Sequence, residues 1–543
     1  MASATPIRRR LLAVTAGSAA AALALTGCTT TGGGGGTGSD DGIVLVGTTD
    51  KVTTLDPAGS YDNGSLALQT QVFPYLVNTD YNSTEVVPDL AESAEFTSPT
   101  QYTVTLPEGL TWANGNALTS SDVKFTFDRQ FTIADPNGPS SLLGALESID
   151  TPDETTVVFN LNTENDQTFP LILTSFPGAI VDEDVFSADA VTPDEEIVDA
   201  NAFGGPYVIT SYDFNTTVEL EPNPEYQGVL DPAENEGVIL SYYADSANLK
   251  LDVQEGAIDV AYRSLSPTDV EDLRGNENVT VTDGPGGETR YIVFNFNTMP
   301  FGATTAEADP AKAQAVRQAM AALIDREPIA EQVYRGTYTP LYSVVPEGFF
   351  GATEVMKDLY GDGDGGPDAD QAAEILEAAG VETPVTLNLQ YNSDDHYGPS
   401  SGDEYAMVKD QLEADGLFTV NLQSTEWVQY SEDRTADVYP MYQLGWFPDY
   451  SDADNYLSPF FKTENFLANH FSDAEVESMI NAQAVEPDEA NREQQIVDIQ
   501  ARMGELLSIL PLLQGAQVAV SGTDVDGVIL DASFKFRFAP LTK

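Results

Sequence analysis

One cysteine, two histidines and 23 Lys plus Arg are all that this 543-residue chain holds of three chemistries. With Cys28 as the sole thiol no internal disulfide can form, although exported proteins often carry them. His396 and His470 lie in no His-x-x-x-His or Glu-flanked spacing, so a zinc hydrolase would find almost no ligands. Against the 23 basic residues stand 87 Asp plus Glu, a formal net charge of −64, and nothing in that balance could neutralise phosphates. Nucleic acid is excluded as a partner. The sequence has no G-x-S-x-G elbow, no Walker loop and no G-x-G-x-x-G after a strand. A binding role is favoured over an enzyme, and no catalytic residue, metal ligand or cofactor is assigned.

Long apolar runs are equally scarce. The one stretch, Leu11 to Leu25, follows Arg8, Arg9 and Arg10 and has 15 residues, short of the roughly 20 that span a bilayer as a helix. This is the layout of a secretory signal. It ends in Leu25-Thr26-Gly27-Cys28, which resembles a bacterial lipobox, whose cysteine takes a diacylglycerol before cleavage. Thr29 to Gly42, with glycine at every position from 32 to 36, reads as a flexible tether. The expectation is a signal peptide at 1–27 and a lipidated tether at 28–42, holding the protein on the outer face of the cell membrane through Cys28. The arginines also suit the twin-arginine route.

What the chain does have is a globular composition, with 41% hydrophobic and 20% charged residues. Its acidity is spread along the chain as a solvating surface. Roughly 500 residues after the tether are too many for one core and imply two or three lobes. No repeat of roughly 20 to 50 residues marks a solenoid. Tyr102, Val104 and Leu106 alternate with polar residues, as do Val385, Leu387, Leu389 and Tyr391, the period of half-buried strands. Val316, Met320, Leu323 and Ile324 fall at helical spacing, as do Ile496, Ile499, Met503 and Leu506, and Ala369 to Ala379 reads as a helix stopped by Gly380. The class is mixed α and β. Asp362-Gly363-Asp364-Gly365-Gly366 lacks the fifth-position ligand and distal Glu of a calcium loop and reads as an acidic turn.

Several short motifs resemble one family in order. Leu55-Asp56-Pro57, Pro88-Asp89-Leu90-Ala91-Glu92 and Tyr102 to Gly109 come first, and Leu118-Thr119-Ser120-Ser121-Asp122-Val123 follows as a helix start. Gly205-Pro206-Tyr207 with Asn223-Pro224-Glu225-Tyr226, Phe294 to Thr298, Val316 to Ala319, Ile324-Asp325-Arg326 and Gly445-Trp446-Phe447-Pro448-Asp449-Tyr450 complete the set. Together they resemble the family 5 extracellular solute-binding proteins, the oligopeptide, dipeptide and nickel receptors of ABC importers.

That resemblance implies a periplasmic-binding-protein-like type II clam of α/β (mixed α+β) class with ligand at its hinge. Lobe I is expected at 43–71, 205–291 and 515–543, an inserted domain at 72–204 and lobe II at 292–514. It also implies a monomer that captures a peptide and delivers it to a permease and ATPase. By motif position, Tyr61, Asp62 and Asn63 are the first-lobe edge for ligand backbone and Gly445, Trp446 and Phe447 the second. Asp449 is the carboxylate for the ligand's α-ammonium. The sequence departs from the dipeptide branch, because Tyr391 to Met407 holds no Arg for a ligand carboxylate. Other solutes, such as an oligosaccharide, nickel or a metal chelate, and a surface-anchored hydrolase are the alternatives.

Overall fold

The computed structural model describes residues 42–229, 232–263 and 265–543. Cys28, the signal and the tether up to residue 41 lie outside the described residues, among which no helix is long and apolar enough to cross a membrane.

Alternation makes the strands. In Val385–Asn392, Val385, Leu387 and Leu389 are buried while Thr386 and Asn388 are exposed, and Gln101–Thr105 buries Tyr102 and Val104. Capping residues start the helices. Asp309 accepts hydrogen bonds from the N–H groups of Ala311 and Lys312 to open Pro310–Leu323, with Pro310 pre-set at the first position. Thr119 and Asp122 form a reciprocal capping box at the start of Ser120–Ile133. The helix Glu489–Leu506 buries Ile496, Ile499 and Met503, and Ala369–Ala378 ends just before Gly380, which takes φ +67°.

Three sheets of four or more strands organise the described residues. A seven-stranded sheet runs in the order Val279–Gly284, Gln517–Gly522, Val260–Tyr262, Ile43–Thr48, Gly237–Tyr242, Thr217–Pro222 and Tyr207–Asp213. A six-stranded sheet runs Tyr338–Pro340, Ile509–Gly515, Thr289–Phe294, Met441–Trp446, Val385–Asn392 and Phe418–Thr425. Its strand Thr289–Phe294 is buried at every position, as expected of a strand covered on both faces. A four-stranded antiparallel sheet, Ser93–Ser98, Gln101–Thr105, Thr156–Leu161 and Leu146–Asp153, packs with Ser120–Ile133 around its own core of Trp112, Phe127 and Phe159. Separate cores of this kind are what a chain of this length requires.

The chain passes between the two larger sheets at one place. Val279–Gly284 leads through residues 285–288 into Thr289–Phe294, and Ile509–Gly515 leads through Ala516 alone into Gln517–Gly522. The two crossings are bonded side by side: the Gly515 N–H donates to the Glu288 carbonyl at 2.8 Å, and the amides of Gln514 and Gln517 donate to the carbonyls of Gly286 and Pro285 at 2.7 and 2.9 Å.

Candidate ligand-binding site

A cavity of about 650 Å³ opens over these crossings. Tyr262 and Arg263 line it from the end of one strand of the seven-stranded sheet, Tyr338, Tyr397 and Phe447 from the other side, and Phe534 from the C-terminal segment. The aromatic wall is set by a buried ion pair. Arg290, 1% exposed, donates to Glu404 Oε2 through Nε at 2.9 Å and Nη2 at 2.6 Å, and to the Tyr397 carbonyl at 2.7 Å. The Tyr334 hydroxyl also donates to Glu404 Oε2, and the rings of Tyr334, Tyr338 and Tyr397 lie 5.2 to 5.9 Å from the guanidinium carbon. Tyr338 in turn donates to Glu288 at 2.7 Å.

Of the residues expected at the ligand edges, Phe447 lines the cavity, and Tyr61, Asp62, Asn63, Gly445, Trp446 and Asp449 lie outside its lining. Phe447 has Arg263 over its ring at 4.9 Å and Phe534 edge-on at 5.2 Å. Gly445 and Trp446 are strand residues paired with Arg290 and Thr289. A β-carbon on Gly445 would stand 3.0 Å from the Tyr397 ring, so a bare glycine lets that ring lie against the strand. Trp446 turns away from the cavity, onto Phe460 at 5.0 Å and Phe466 at 5.4 Å.

Tyr61, Asp62 and Asn63 follow the Leu55-Asp56-Pro57 turn in the chain. Asp56 is fully buried and receives both guanidinium Nη groups of Arg129 at 2.7 Å and the Thr192 N–H at 2.7 Å. Asp62 caps the helix Asn63–Val72 by accepting from the Ser65 N–H, and Asn63 is its first residue, so both are engaged in helix formation. The Tyr61 phenol donates a hydrogen bond to Asp449 Oδ1, and its ring meets Phe176 edge-on at 4.8 Å. Asp449 Oδ2 accepts from Asn455 Nδ2 at 3.1 Å. Burial raises the Asp449 pKa against the lowering effect of these two donors, and desolvation together with the Asp449 charge pushes the Tyr61 phenol up.

Motif reading did not single out Asn455, Arg263 or the Arg290–Glu404 pair. Asn455 is 1% exposed and accepts both the Trp446 indole N–H at 2.9 Å and the Asp449 backbone N–H at 2.8 Å. It fixes the turn that carries Asp449. Its place six residues beyond Asp449, in a run rich in Asp, was the only signal available. Of the histidines, His396 is exposed and stacked on Trp427 at 3.5 Å, and His470 bonds Asp437 at 2.6 Å. Asp362 folds back to accept from the N–H groups of Asp364 and Gly366, the acidic turn read from the sequence.

Against known proteins, the fold is shared widely. The structure of HbpA2 from Haemophilus parasuis superposes with a TM-score of 0.78 at 19% identity, over 92% of this chain and 99% of that one. A dipeptide binding protein from Pseudoalteromonas sp. SM9913, in complex with Met-Leu, gives 0.71 at 19% identity over 92% and 99%. In sequence, 315 residues are 26% identical to the Escherichia coli protein named Probable D,D-dipeptide-binding periplasmic protein DdpA, over 57% of this chain. That alignment spans 58% of the relative's length, less than two thirds of it. Residues 85–467, well over half of the chain, match the middle region of one family, and the protein belongs to the bacterial extracellular solute-binding proteins, family 5.

Proposed function

We propose that this chain is the receptor of an ABC importer and that it captures peptides in the cavity over the two crossings. The observation that carries the reading is the cavity itself. About 650 Å³ between two sheets whose strands run into one another at the crossings suits a short peptide held between two walls that can close on it. The peptide-binding names among its relatives support the ligand class. In this reading the seven-stranded sheet is lobe I, the six-stranded sheet lobe II, and the four-stranded sheet the inserted domain. Contacts to both lobes favour the closed state, which the permease and ATPase then recognise. Extended ligand backbone pairs along the edge at Gly445 to Phe447, with Tyr61, just before the helix that Asp62 caps, facing it from the other side.

Asp449 takes the ligand's ammonium from the small pocket that adjoins the cavity at Phe447 and Phe534. The Tyr61 phenol already marks Oδ1 as an acceptor facing the opposite lobe, and the incoming cation displaces it while Asn455 keeps the carboxylate in place. A buried cation needs such a fixed anion, and loss of one partner costs about 3–5 kcal/mol. The receptor works as a monomer on the outer face of the membrane, tethered by lipid on Cys28.

The test is mass spectrometry of small molecules released by denaturing the full chain after gentle purification in mild detergent. A ladder of short peptides, lost in Asp449→Ala, is the expected result. Sugars, a metal or one unrelated compound would overturn the peptide assignment.

A further inference from the structure

The strands Val385–Asn392 and Phe418–Thr425 run parallel at one edge of the six-stranded sheet, in a register that sets Thr386 beside Thr419, Asn388 beside Asn421 and Gln390 beside Gln423. Five of these six side chains are exposed, and none carries a charge in a chain of net charge −64. The opposite face of the pair sends Leu387, Leu389 and Val420 into the core. Parallel strands are commonly covered on both faces, so an open face of amides and hydroxyls is a departure. A second cavity, of about 230 Å³, lies on that face, lined by Asn388, Gln390 and Gln423 and walled by Val438, Tyr439 and Pro440. It shares no lining residue with the large cavity.

The Asn421 amide donates to Asn388 Oδ1 at 3.0 Å and the Gln390 amide to Thr425 Oγ1 at 2.6 Å, which fixes two of the rungs. The exposed Gln423 side chain bonds no group among the described residues. Tyr439 is tied down by its phenol, which donates to Asp433 Oδ2 at 2.9 Å, while Val438 is 55% exposed. Amides, each with two donor hydrogens and an acceptor oxygen, match neighbouring hydroxyls, and an apolar wall matches the C–H face of a ring. A further protein strand is excluded at Val420, whose N–H donates to Glu413 Oε1 and whose carbonyl accepts from Lys409 Nζ, both at 2.7 Å.

We propose that this face binds an uncharged saccharide, with the hydroxyls of one ring on the Asn388, Gln390 and Gln423 amides and its C–H face on Val438 and Pro440. The volume falls below the roughly 300–1,000 Å³ of a drug-sized ligand's site and suits one ring of a chain that continues over the open rungs.

Saturation-transfer NMR on the full chain, in a detergent without a sugar headgroup, tests this with maltotriose, the N-acetylglucosamine trimer and the galacturonic acid trimer. One or both neutral trimers should receive saturation, with a dissociation constant of about 1 mM, and the acidic trimer should be repelled. Gln423→Ala, which breaks no bond within the chain, and Asn388→Ala should each cut the transfer at least about threefold. Peptide capture in the large cavity should be unchanged in both. Absence of transfer to either neutral trimer, equal transfer to the acidic one, or transfer that survives both variants overturns the saccharide site. If the surviving transfer is lost in Phe447→Ala instead, the sugar belongs in the large cavity.

Discussion

Gly286 lies so close to Gly515 that a β-carbon built on it would stand 1.1 Å from the Gly515 carbonyl oxygen. The two crossings therefore touch backbone to backbone, and no side chain fits between them. Gly286→Ala must push the crossings apart. Its expected cost is about 1–3 kcal/mol or more, the range for forcing an extra methyl into packed surroundings, read as a lowered urea midpoint. An unchanged midpoint would mean that the crossings yield freely.

The pH dependence of ligand capture follows from Asp449. Burial raises its pKa in the empty protein. A bound ammonium favours the ionised form and lowers it, so capture releases a proton. Affinity for a peptide amine is expected to climb as pH rises through the raised carboxyl pKa and to level off above it. Calorimetry in buffers of different ionisation enthalpy would detect the released proton, and Asp449→Asn should lose both the slope and the release.

Lys535 supplies a pH effect of stability rather than of binding. It is 7% exposed and donates to Asn78 Oδ1 at 2.8 Å, and burial, reinforced by the Arg537 charge, pushes it down to about 7. Above that value the folded chain holds this amine neutral while the unfolded chain still binds the proton. Its contribution to stability is therefore least favourable below pH 7 and improves from about 7 toward the unfolded lysine value near 10.4. Urea unfolding at pH 7 and pH 9 should show a smaller difference in Lys535→Met than in the native chain.

Glu404→Gln should cost about 3–5 kcal/mol, because it leaves the Arg290 guanidinium buried without its counter-charge. Replacing both partners by apolar residues should recover part of that loss. The double variant should still bind ligand poorly, since Arg290 also holds the Tyr397 carbonyl and faces three tyrosine rings. Chemical denaturation and peptide retention together separate the two effects.

Local order was legible in the sequence wherever one face of an element is buried. Val385 to Tyr391 alternates because its strand has a core side, and Ile496, Ile499 and Met503 recur because one stripe of their helix packs inward. Motif order pointed to Asp449 and Phe447, which follow directly on the strand Met441–Trp446 that carries them. Arg290 and Glu404 are 114 positions apart, and Arg263 meets Phe447 across two sheets. Neither relation leaves a periodic or local trace, since each depends on how distant strands are brought together. Asn455 was hidden for another reason: an amide among aspartates reads as surface until its bonds to Trp446 and Asp449 are seen.

The crossing at Ala516 also bears on when this protein can fold. Val279–Gly284 joins its sheet only through Gln517–Gly522, and Gln517–Gly522 also closes on Val260–Tyr262. The sheet that opens with Ile43–Thr48 thus waits for Gln517–Gly522, a strand made after every strand of the six-stranded sheet. Until that strand is made, the sheet stays open at both Val260–Tyr262 and Val279–Gly284.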